Sequence, residues 1–178
     1  MKTYVRRVSS PAGVILLEAG AQGLVRVAFA DGDCEGAAPE PACGEAACIL
    51  EETERWLSEY FAGKPREKLP KLAPAPTRYQ EEVRECAHGI LPGERISYGA
   101  FAKRMQEMTG RRTSARAVGR ALGANPLLIL VPCHRVCASD GSLRGYAGGL
   151  ARKEWLLAHE GRMRCPEGES AAGEEGRE

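Results

Sequence analysis

The sequence predicts an α/β protein: a small amino-terminal α/β domain (sheet plus helix), followed by a mainly helical carboxy-terminal domain with a helix-turn-helix. Two β-branched segments come first, a proline-rich stretch typical of a linker covers residues 64–76, and helical periodicity dominates thereafter. We place the two domains at residues 1–72 and 73–162. Residues 163–178 are rich in Gly, Glu and Ala, so we expect a disordered tail there.

The amino-terminal domain begins with a predicted β-hairpin. Apolar residues 13–17 and 24–29 flank the turn residues Gln22-Gly23. Residues 31–44 are rich in Gly, Pro, Asp and Ala, and they predict a loop. The following residues 45–62 carry apolar side chains at intervals of three or four, which predicts a helix that packs on the hairpin.

The helix-turn-helix is predicted from its caps and its turn. Ser97 caps the first helix, the glycine-containing turn Thr109-Gly110 ends it, and Thr113 or Ser114 caps the second, shorter helix. Apolar residues on one side of the second helix indicate the face that packs on the protein. A basic stripe at i, i+4 spacing lies opposite that face: Arg112, Arg116 and Arg120.

Further elements are predicted on either side of this motif. Thr77 is a suitable N-cap for a helix over residues 78–90, and a last amphipathic helix covers about residues 150–160 and ends at Gly161. The apolar residues 127–131 lie between two prolines and are too few for a normal helix. They predict a buried strand or extended segment.

The carboxy-terminal domain is the only segment of the sequence with a net positive charge. Residues 77–162 carry 14 Lys and Arg against 8 Asp and Glu, whereas residues 1–76 carry 9 against 11 and residues 163–178 carry 2 against 5. A localised basic stretch indicates contact with a polyanion. The same charges would also fit a solvated helix face.

The cysteines and the apolar runs exclude several classes of protein. The seven cysteines are odd in number and form no Cys-x-x-Cys pair, which favours reduced thiols in a cytosolic compartment. Cys34, Cys43 and Cys48 could bind zinc, but their spacing matches no standard signature, so we expect no metal site. No apolar run approaches the ~20 residues that span a bilayer, and no signal peptide is visible, so we expect no membrane partner.

Cys133 is the candidate nucleophile, because it follows a buried apolar segment and precedes His134 and Arg135. Basic or cationic neighbours activate a thiol by taking its proton or lowering its pKa. The alternative is a buried structural cysteine, which is the usual role of a free thiol. The chain contains neither the Gly-x-Gly-x-x-Gly pattern of dinucleotide sites nor the phosphate-binding P-loop, so we expect no cofactor.

The string Pro132-Cys133-His134-Arg135-Val136 resembles the active-site motif of the O6-alkylguanine-DNA alkyltransferases. Other strings resemble further motifs of that family, and all fall in the family's order within residues 77–161. These strings are Ile96-Ser97-Tyr98-Gly99, Ala115-Arg116-Ala117-Val118-Gly119, Asn125-Pro126, Gly145-Tyr146-Ala147-Gly148-Gly149 and the segment from Lys153 to Gly161. A Ser10-Pro11-x-Gly13 hairpin and the helix end at residues 56–63 also look like the family's amino-terminal domain.

The resemblance implies roles for the residues of the active site. Cys133 is similar to the alkyl-acceptor thiol, His134 to its base, and Glu160 to the carboxylate that orients the base. Asn125 resembles the residue that braces the active-site loop. Tyr98 looks like the residue that crowds the DNA backbone and assists the leaving oxygen.

The resemblance also implies a DNA contact surface. Arg116 is similar to the finger that fills the gap left by a flipped base, and Ser139 to a residue that contacts the extruded base. Small residues at the start of the recognition helix, Ser114 and Ala115, allow close approach to the groove. The basic turn before that helix would bind phosphates through Arg111 and Arg112.

The resemblance therefore implies DNA repair by direct reversal. The alkyl group of O6-alkylguanine, and also of O4-alkylthymine, would move irreversibly to Cys133 in a single turnover, without a cofactor. The expected partner is double-stranded DNA carrying alkylated bases, bound by a monomer in the cytoplasm at the nucleoid, or in the nucleus of a eukaryote. Two alternatives are a lesion-binding protein without transferase activity and a helix-turn-helix regulator, which would bind as a dimer.

Overall fold

A computed structural model describes residues 2–30, 44–64 and 68–164. Its first unit is an antiparallel three-stranded sheet in the order β1 (Thr3–Ser10), β2 (Gly13–Gly20) and β3 (Gly23–Phe29). The predicted hairpin of β2 and β3 is confirmed. The residue pattern did not predict β1, because arginines interrupt its apolar residues, and only the resemblance indicated the hairpin that joins it to β2.

Helix α1 (Glu45–Phe61) packs on one face of this sheet, as predicted. Every second residue of β2 from Ile15 to Ala19 is buried, and α1 buries Ile49, Leu50 and Leu57. The loop predicted over residues 31–44, together with Cys34 and Cys43, lies outside the described residues except for Gly44.

The proline-rich stretch is not a free linker where the structure describes it. Leu24 of β3 donates its backbone N–H to Lys71 and accepts from Ala73, at 2.8 and 2.9 Å. The chain runs so close to Gly23 that a Cβ there would lie 2.5 Å from the backbone of residues 72 and 73, and Gly23 has a φ of +138°. The stretch therefore extends the sheet at the edge of β3, because its backbone groups find partners there.

The carboxy-terminal domain is helical, with α2 (Arg78–His88), α3 (Tyr98–Thr109), α4 (Ala115–Gly123) and α5 (Leu150–Arg164). The predicted caps are confirmed: the hydroxyls of Thr77, Ser97 and Ser114 accept from backbone N–H groups three residues later, at 3.2, 3.1 and 3.3 Å. Ser114 rather than Thr113 is the cap of α4.

Short elements lie before α3 and between α4 and α5. A single 3₁₀ turn covers Cys133–Arg135, and β4 (Ile96–Ser97) pairs in parallel with β5 (Val136–Cys137). This pairing fixes the segment after Cys133 against the start of α3. Among the described residues, no helix is long and apolar enough to cross a membrane.

Three predictions are corrected. Helix α5 continues through Gly161 to Arg164, so the first two residues of the predicted tail are helical, and residues 165–178 lie outside the described part of the chain. Arg112 precedes α4, so the stripe on that helix contains only Arg116 and Arg120. The helix α4 starts at its cap Ser114, and a spacing of four residues has helical meaning only within the helix.

The third correction concerns residues 127–131, which are buried but form a turn instead of a strand. Only Leu127 pairs with the sheet, as an isolated bridge to Val27 of β3. Val131 then donates to the carbonyl of Leu127 at 2.9 Å, and Ile129 takes a φ of +71°. This conformation is costly for a β-branched residue, and burial on every side maintains it.

Candidate active site

Cys133 begins the 3₁₀ turn, at the end of the buried turn over residues 127–131. The Asn125 Nδ2 atom lies 3.2 Å from Cys133 Sγ and 3.3 Å from the carbonyl oxygens of Leu127 and Val131, while Asn125 Oδ1 accepts from the N–H of Leu127 at 3.0 Å. One side chain therefore ties both ends of the turn to the thiol. The structure brings Asn125 and Cys133 together as the resemblance implied.

The Cys133 thiol is only 6% exposed. Burial raises its pKa, and the Asn125 hydrogen bond and the nearby Lys153 charge oppose this effect without reversing it. A thiol with a raised pKa keeps its proton at neutral pH and becomes a good nucleophile only when a base accepts that proton.

His134 is the base nearest in sequence, and it is fully buried. Its Nε2 atom lies 2.8 Å from Glu160 Oε1. Because an ionised carboxylate only accepts hydrogen bonds, Nε2 carries the ring proton and Nδ1 carries the lone pair. Nδ1 has no hydrogen-bond partner among the described residues, and burial lowers the pKa of His134. The imidazole is therefore neutral and able to accept a proton at Nδ1.

Glu160, on α5, is the centre of a buried hydrogen-bond cluster. Arg135 donates to both carboxylate oxygens, from Nε at 2.9 Å and Nη2 at 2.7 Å, and it also donates to the carbonyl of Ile90. The Tyr60 hydroxyl donates to Oε1 at 2.8 Å and the Gly93 N–H to Oε2 at 3.2 Å.

These donors keep Glu160 ionised. Burial alone would raise the pKa of the Glu160 carboxyl, but the hydrogen bonds from His134 and Arg135 and the positive charge of Arg135 hold it well below its usual range. We call Tyr60, His134, Arg135 and Glu160 the Glu160 cluster. Sequence reasoning assigned no role to Tyr60 or to Arg135 within this cluster.

A second buried cation, Lys153, also lacked an assigned role. Its Nζ donates to the carbonyls of Val136 at 2.7 Å and Arg144 at 3.0 Å, and the side chain is fully buried. Burial lowers the pKa of Lys153, and the neighbouring Cys137 and Cys133 thiols raise it. The signal that could have indicated it is a lysine on the side of the last helix that its apolar residues mark as buried.

Tyr98 lies at the start of α3 and joins the same group of residues. Its hydroxyl donates to the carbonyl of Arg144 at 3.3 Å, the oxygen that also accepts from Lys153. Burial and the nearby Cys133 and Cys137 raise the pKa of Tyr98, so its hydroxyl keeps its proton. Ser139 lies in the exposed turn after β5.

The start of α4 forms the exposed face expected to meet DNA. Ser114, Ala115 and Arg116 are all exposed, and the side chains of Arg112 and Arg116 form no hydrogen bond or ion pair with another described residue. Arg111 differs from both, because its half-exposed guanidinium forms an ion pair with Glu82 of α2. The structure therefore divides the three arginines predicted to contact DNA into two with free side chains and one with a paired side chain.

The described residues contain no group of three His, Cys, Asp or Glu side chains arranged to hold a metal ion. Cys48, one of the three cysteines considered for zinc, is a free thiol on the exposed side of α1.

Comparisons with known proteins agree on one family. Residues 78–162 match the family model described as 6-O-methylguanine DNA methyltransferase, DNA binding domain. The crystal structure of Mycobacterium tuberculosis O6-methylguanine methyltransferase is similar, with a TM-score of 0.75 and 32% identity over 94% of this chain and 97% of that chain. Mycobacterium tuberculosis OGT in complex with DNA gives a TM-score of 0.73 and 33% identity over 89% and 93% of the two chains.

Sequence similarity extends through both domains. The methylated-DNA–protein-cysteine methyltransferase of Methanosarcina acetivorans is 40% identical over 158 residues, which cover 89% of this chain and 98% of that relative. The similarity therefore includes the amino-terminal sheet as well as the helix-turn-helix and the turn that carries Cys133. This chain belongs to the methylated-DNA–protein-cysteine methyltransferase family.

Proposed function

We propose that this protein repairs DNA by direct reversal, moving the alkyl group of O6-alkylguanine, and also of O4-alkylthymine, to the sulfur of Cys133. The observation that carries the proposal is a buried thiol that keeps its proton, adjacent in sequence to a neutral imidazole whose Nε2 is bonded to Glu160 and whose Nδ1 bonds no described residue. Family membership and the DNA complex of a structural neighbour support DNA as the partner.

The first step is proton transfer away from the thiol. His134 takes the Cys133 proton at Nδ1, and Glu160 stabilises the resulting imidazolium through its bond to Nε2. The Asn125 amide donates to Sγ, and the buried Lys153 adds positive charge nearby, so both stabilise the developing thiolate.

The second step is in-line attack of the sulfur on the alkyl carbon. The S–C bond forms as the C–O6 bond breaks, and the electron pair of that bond moves onto the guanine. The guanine takes a proton, so the net reaction transfers the thiol proton to the guanine and the alkyl group to the sulfur. Tyr98, whose hydroxyl keeps its proton and donates to the Arg144 carbonyl in the free protein, assists the leaving oxygen.

The product is a thioether on Cys133. The C–S bond of a thioether resists hydrolysis, so water does not restore the thiol. Each molecule therefore acts once and irreversibly, and the reaction consumes no cofactor.

Access to the alkylated base requires that it leave the duplex, at a cost of a few kcal/mol. Arg116 at the exposed start of α4 enters the stack in place of the flipped base, and Ser114 and Ala115 allow the helix close to the groove. Arg112 and Arg111 bind phosphates, and Ser139 contacts the extruded base. A single copy supplies the acceptor, the base and the DNA-contact residues, so the protein acts as a monomer on double-stranded DNA.

The test uses duplex DNA with a radiolabelled O6-methyl group. We expect stoichiometric transfer of label to the protein and no transfer by Cys133→Ala, which should still bind the duplex. Label on Cys133→Ala equal to that on the parent would exclude Cys133 as acceptor. Binding of the lesion without transfer by the parent would favour a lesion-binding protein, and binding as a dimer to two half-sites would favour a regulator.

The proton-transfer step has its own test. His134→Ala should slow transfer and raise the pH at which Cys133 reacts, because the thiol loses the base that takes its proton. The measurement is the single-turnover rate of label transfer between pH 6 and pH 9. A rate and a pH profile equal to those of the parent would mean that His134 is not the base.

A further inference from the structure

Helix α1 of the amino-terminal domain reaches the active-site carboxylate. The Tyr60 hydroxyl donates to Glu160 Oε1 at 2.8 Å, across 100 residues of sequence, and Tyr60 is fully buried. Oε1 is the oxygen that also accepts from His134 Nε2. Tyr60, from the sheet-containing domain, and His134, the proposed base, therefore donate to the same oxygen of Glu160.

Aromatic packing alone would not require this hydroxyl. The Tyr60 ring stacks on Trp56 at a centroid distance of 5.6 Å and meets Phe61 and His159 edge-on at 5.2 and 5.5 Å. Phenylalanine would make the same ring contacts. A buried hydroxyl is costly unless it is hydrogen-bonded, and among the described residues the partner of this one is the Glu160 carboxylate.

We propose that Tyr60 is a positioning residue for alkyl transfer. Its hydroxyl fixes the position of Glu160 Oε1 and weakens the hydrogen bond that this oxygen accepts from His134 Nε2. The effect on transfer rests on the function proposed above, whereas the effect on His134 itself does not.

The direction of the effect follows from competition at Oε1, which accepts from Tyr60, His134 and Arg135. Each donor neutralises part of the carboxylate charge, so removal of the Tyr60 hydroxyl makes Oε1 a stronger acceptor for His134. The imidazolium form of His134 then becomes more favourable. Several titratable or charged groups from the packed elements surround Tyr60 and His134. They are Arg135, Tyr146, Lys153, His159 and Glu160.

The direct test is Tyr60→Phe, observed at neutral pH by NMR of histidine labelled with ¹⁵N. We expect the His134 Nε2–H proton to move downfield, because its hydrogen bond to Glu160 strengthens. Tyr79→Phe is the matched control, since the Tyr79 hydroxyl bonds Thr113 at 2.7 Å and makes no bond to Glu160. An unmoved His134 proton in Tyr60→Phe, or an equal movement in Tyr79→Phe, would overturn the proposal.

The second measurement is the pH dependence of label transfer. Only neutral His134 can act as base, so Tyr60→Phe should shift the acidic limb of the rate profile upward by about half a pH unit. DNA affinity should stay unchanged, which a general packing defect would not leave intact. An acidic limb that superimposes on that of the parent would contradict the proposal.

A double-mutant cycle assigns the effect to the Tyr60–Glu160 contact. In a Glu160→Gln background the carboxylate is gone, so adding Tyr60→Phe should no longer move the His134 proton downfield. The same downfield movement in both backgrounds would refute the contact as its origin. The NMR readout needs no substrate, so failure of alkyl transfer and failure of the Tyr60 inference can be told apart.

Discussion

The Glu160 cluster and the exposed face of α4 are built in opposite ways. In the cluster, four side chains from three elements are less than a tenth exposed, and hydrogen bonds of 2.7–2.9 Å join the other three to Glu160. On the face of α4, Arg116 has no partner among the described residues, and Ser114 bonds only the backbone of its own helix.

This difference separates two kinds of functional residue. A buried charge must be neutralised in the free protein, so the residues that hold it contribute to stability and chemistry together. An exposed side chain whose partner is DNA contributes little to the stability of the free protein. Substitutions in the Glu160 cluster should therefore cost folding free energy, and substitutions on the face of α4 should cost mainly DNA repair.

The largest expected effect is that of Glu160→Gln on stability. The substitution leaves the Arg135 guanidinium buried without its carboxylate, which should lower the free energy of unfolding by about 3–5 kcal/mol. The measurement is the midpoint of urea unfolding at neutral pH. A midpoint within error of the parent would show that the cluster contributes no net stability and would remove the contrast with α4.

The same variant sharpens the comparison when pH is varied. The pKa of Glu160 is lowered on folding from a model-peptide value of 4.5, so its stabilisation is complete above that pH and is lost as the pH falls below it. The stability difference between parent and Glu160→Gln should therefore shrink below pH 4.5, by up to about 1.4 kcal/mol per pH unit. A constant difference from pH 7 to pH 3 would show that Glu160 is not held ionised.

A smaller effect is expected where the exposed face does contribute to folding, at the cap of α4. Ser114→Ala removes the acceptor for the Ala117 N–H and should cost about 1 kcal/mol, whereas Ser114→Gly should cost only a few tenths. Thermal unfolding of the two variants distinguishes them. Equal losses would mean that Ser114 is not acting as a cap.

The smallest stability effects are expected for Arg116→Ala and Arg112→Ala, within about 0.5 kcal/mol of the parent. Their effects on repair should differ. Arg116→Ala should slow transfer from duplex DNA much more than transfer from the free O6-alkylguanine base, because the finger is needed only to hold a flipped base. Equal losses on both substrates would point to a folding defect or a role in the chemical step.

Arg112→Ala should chiefly weaken DNA binding and reduce its salt dependence by about one counterion. Binding isotherms at several salt concentrations measure this slope. An unchanged slope would mean that Arg112 contacts no phosphate, and the free guanidinium would then be part of a solvated surface.

Local signals in the sequence predicted most elements correctly. The caps Thr77, Ser97 and Ser114 act on N–H groups only three residues away, and the periodicity of α1 needs only its own residues. Predictions failed where the hydrogen-bond partner is distant in sequence. Residues 127–131 form a turn because only Leu127 pairs with the sheet. Part of the proline-rich stretch, predicted as a linker, pairs with β3. A backbone group takes whichever partner the fold supplies, and sequence distance does not reveal it.

For the site, the residues of the sequence by themselves pointed to the Cys133 thiol and the neighbouring His134, whereas only the resemblance to the family pointed to Glu160 and to a DNA-contact role for Arg116. The tertiary structure alone decided that Arg111 is paired with Glu82 and that Tyr60 meets Glu160. The reason is physical: burying Glu160 requires donors from whichever elements pack around it, and α1 and α5 meet only when the whole chain has folded.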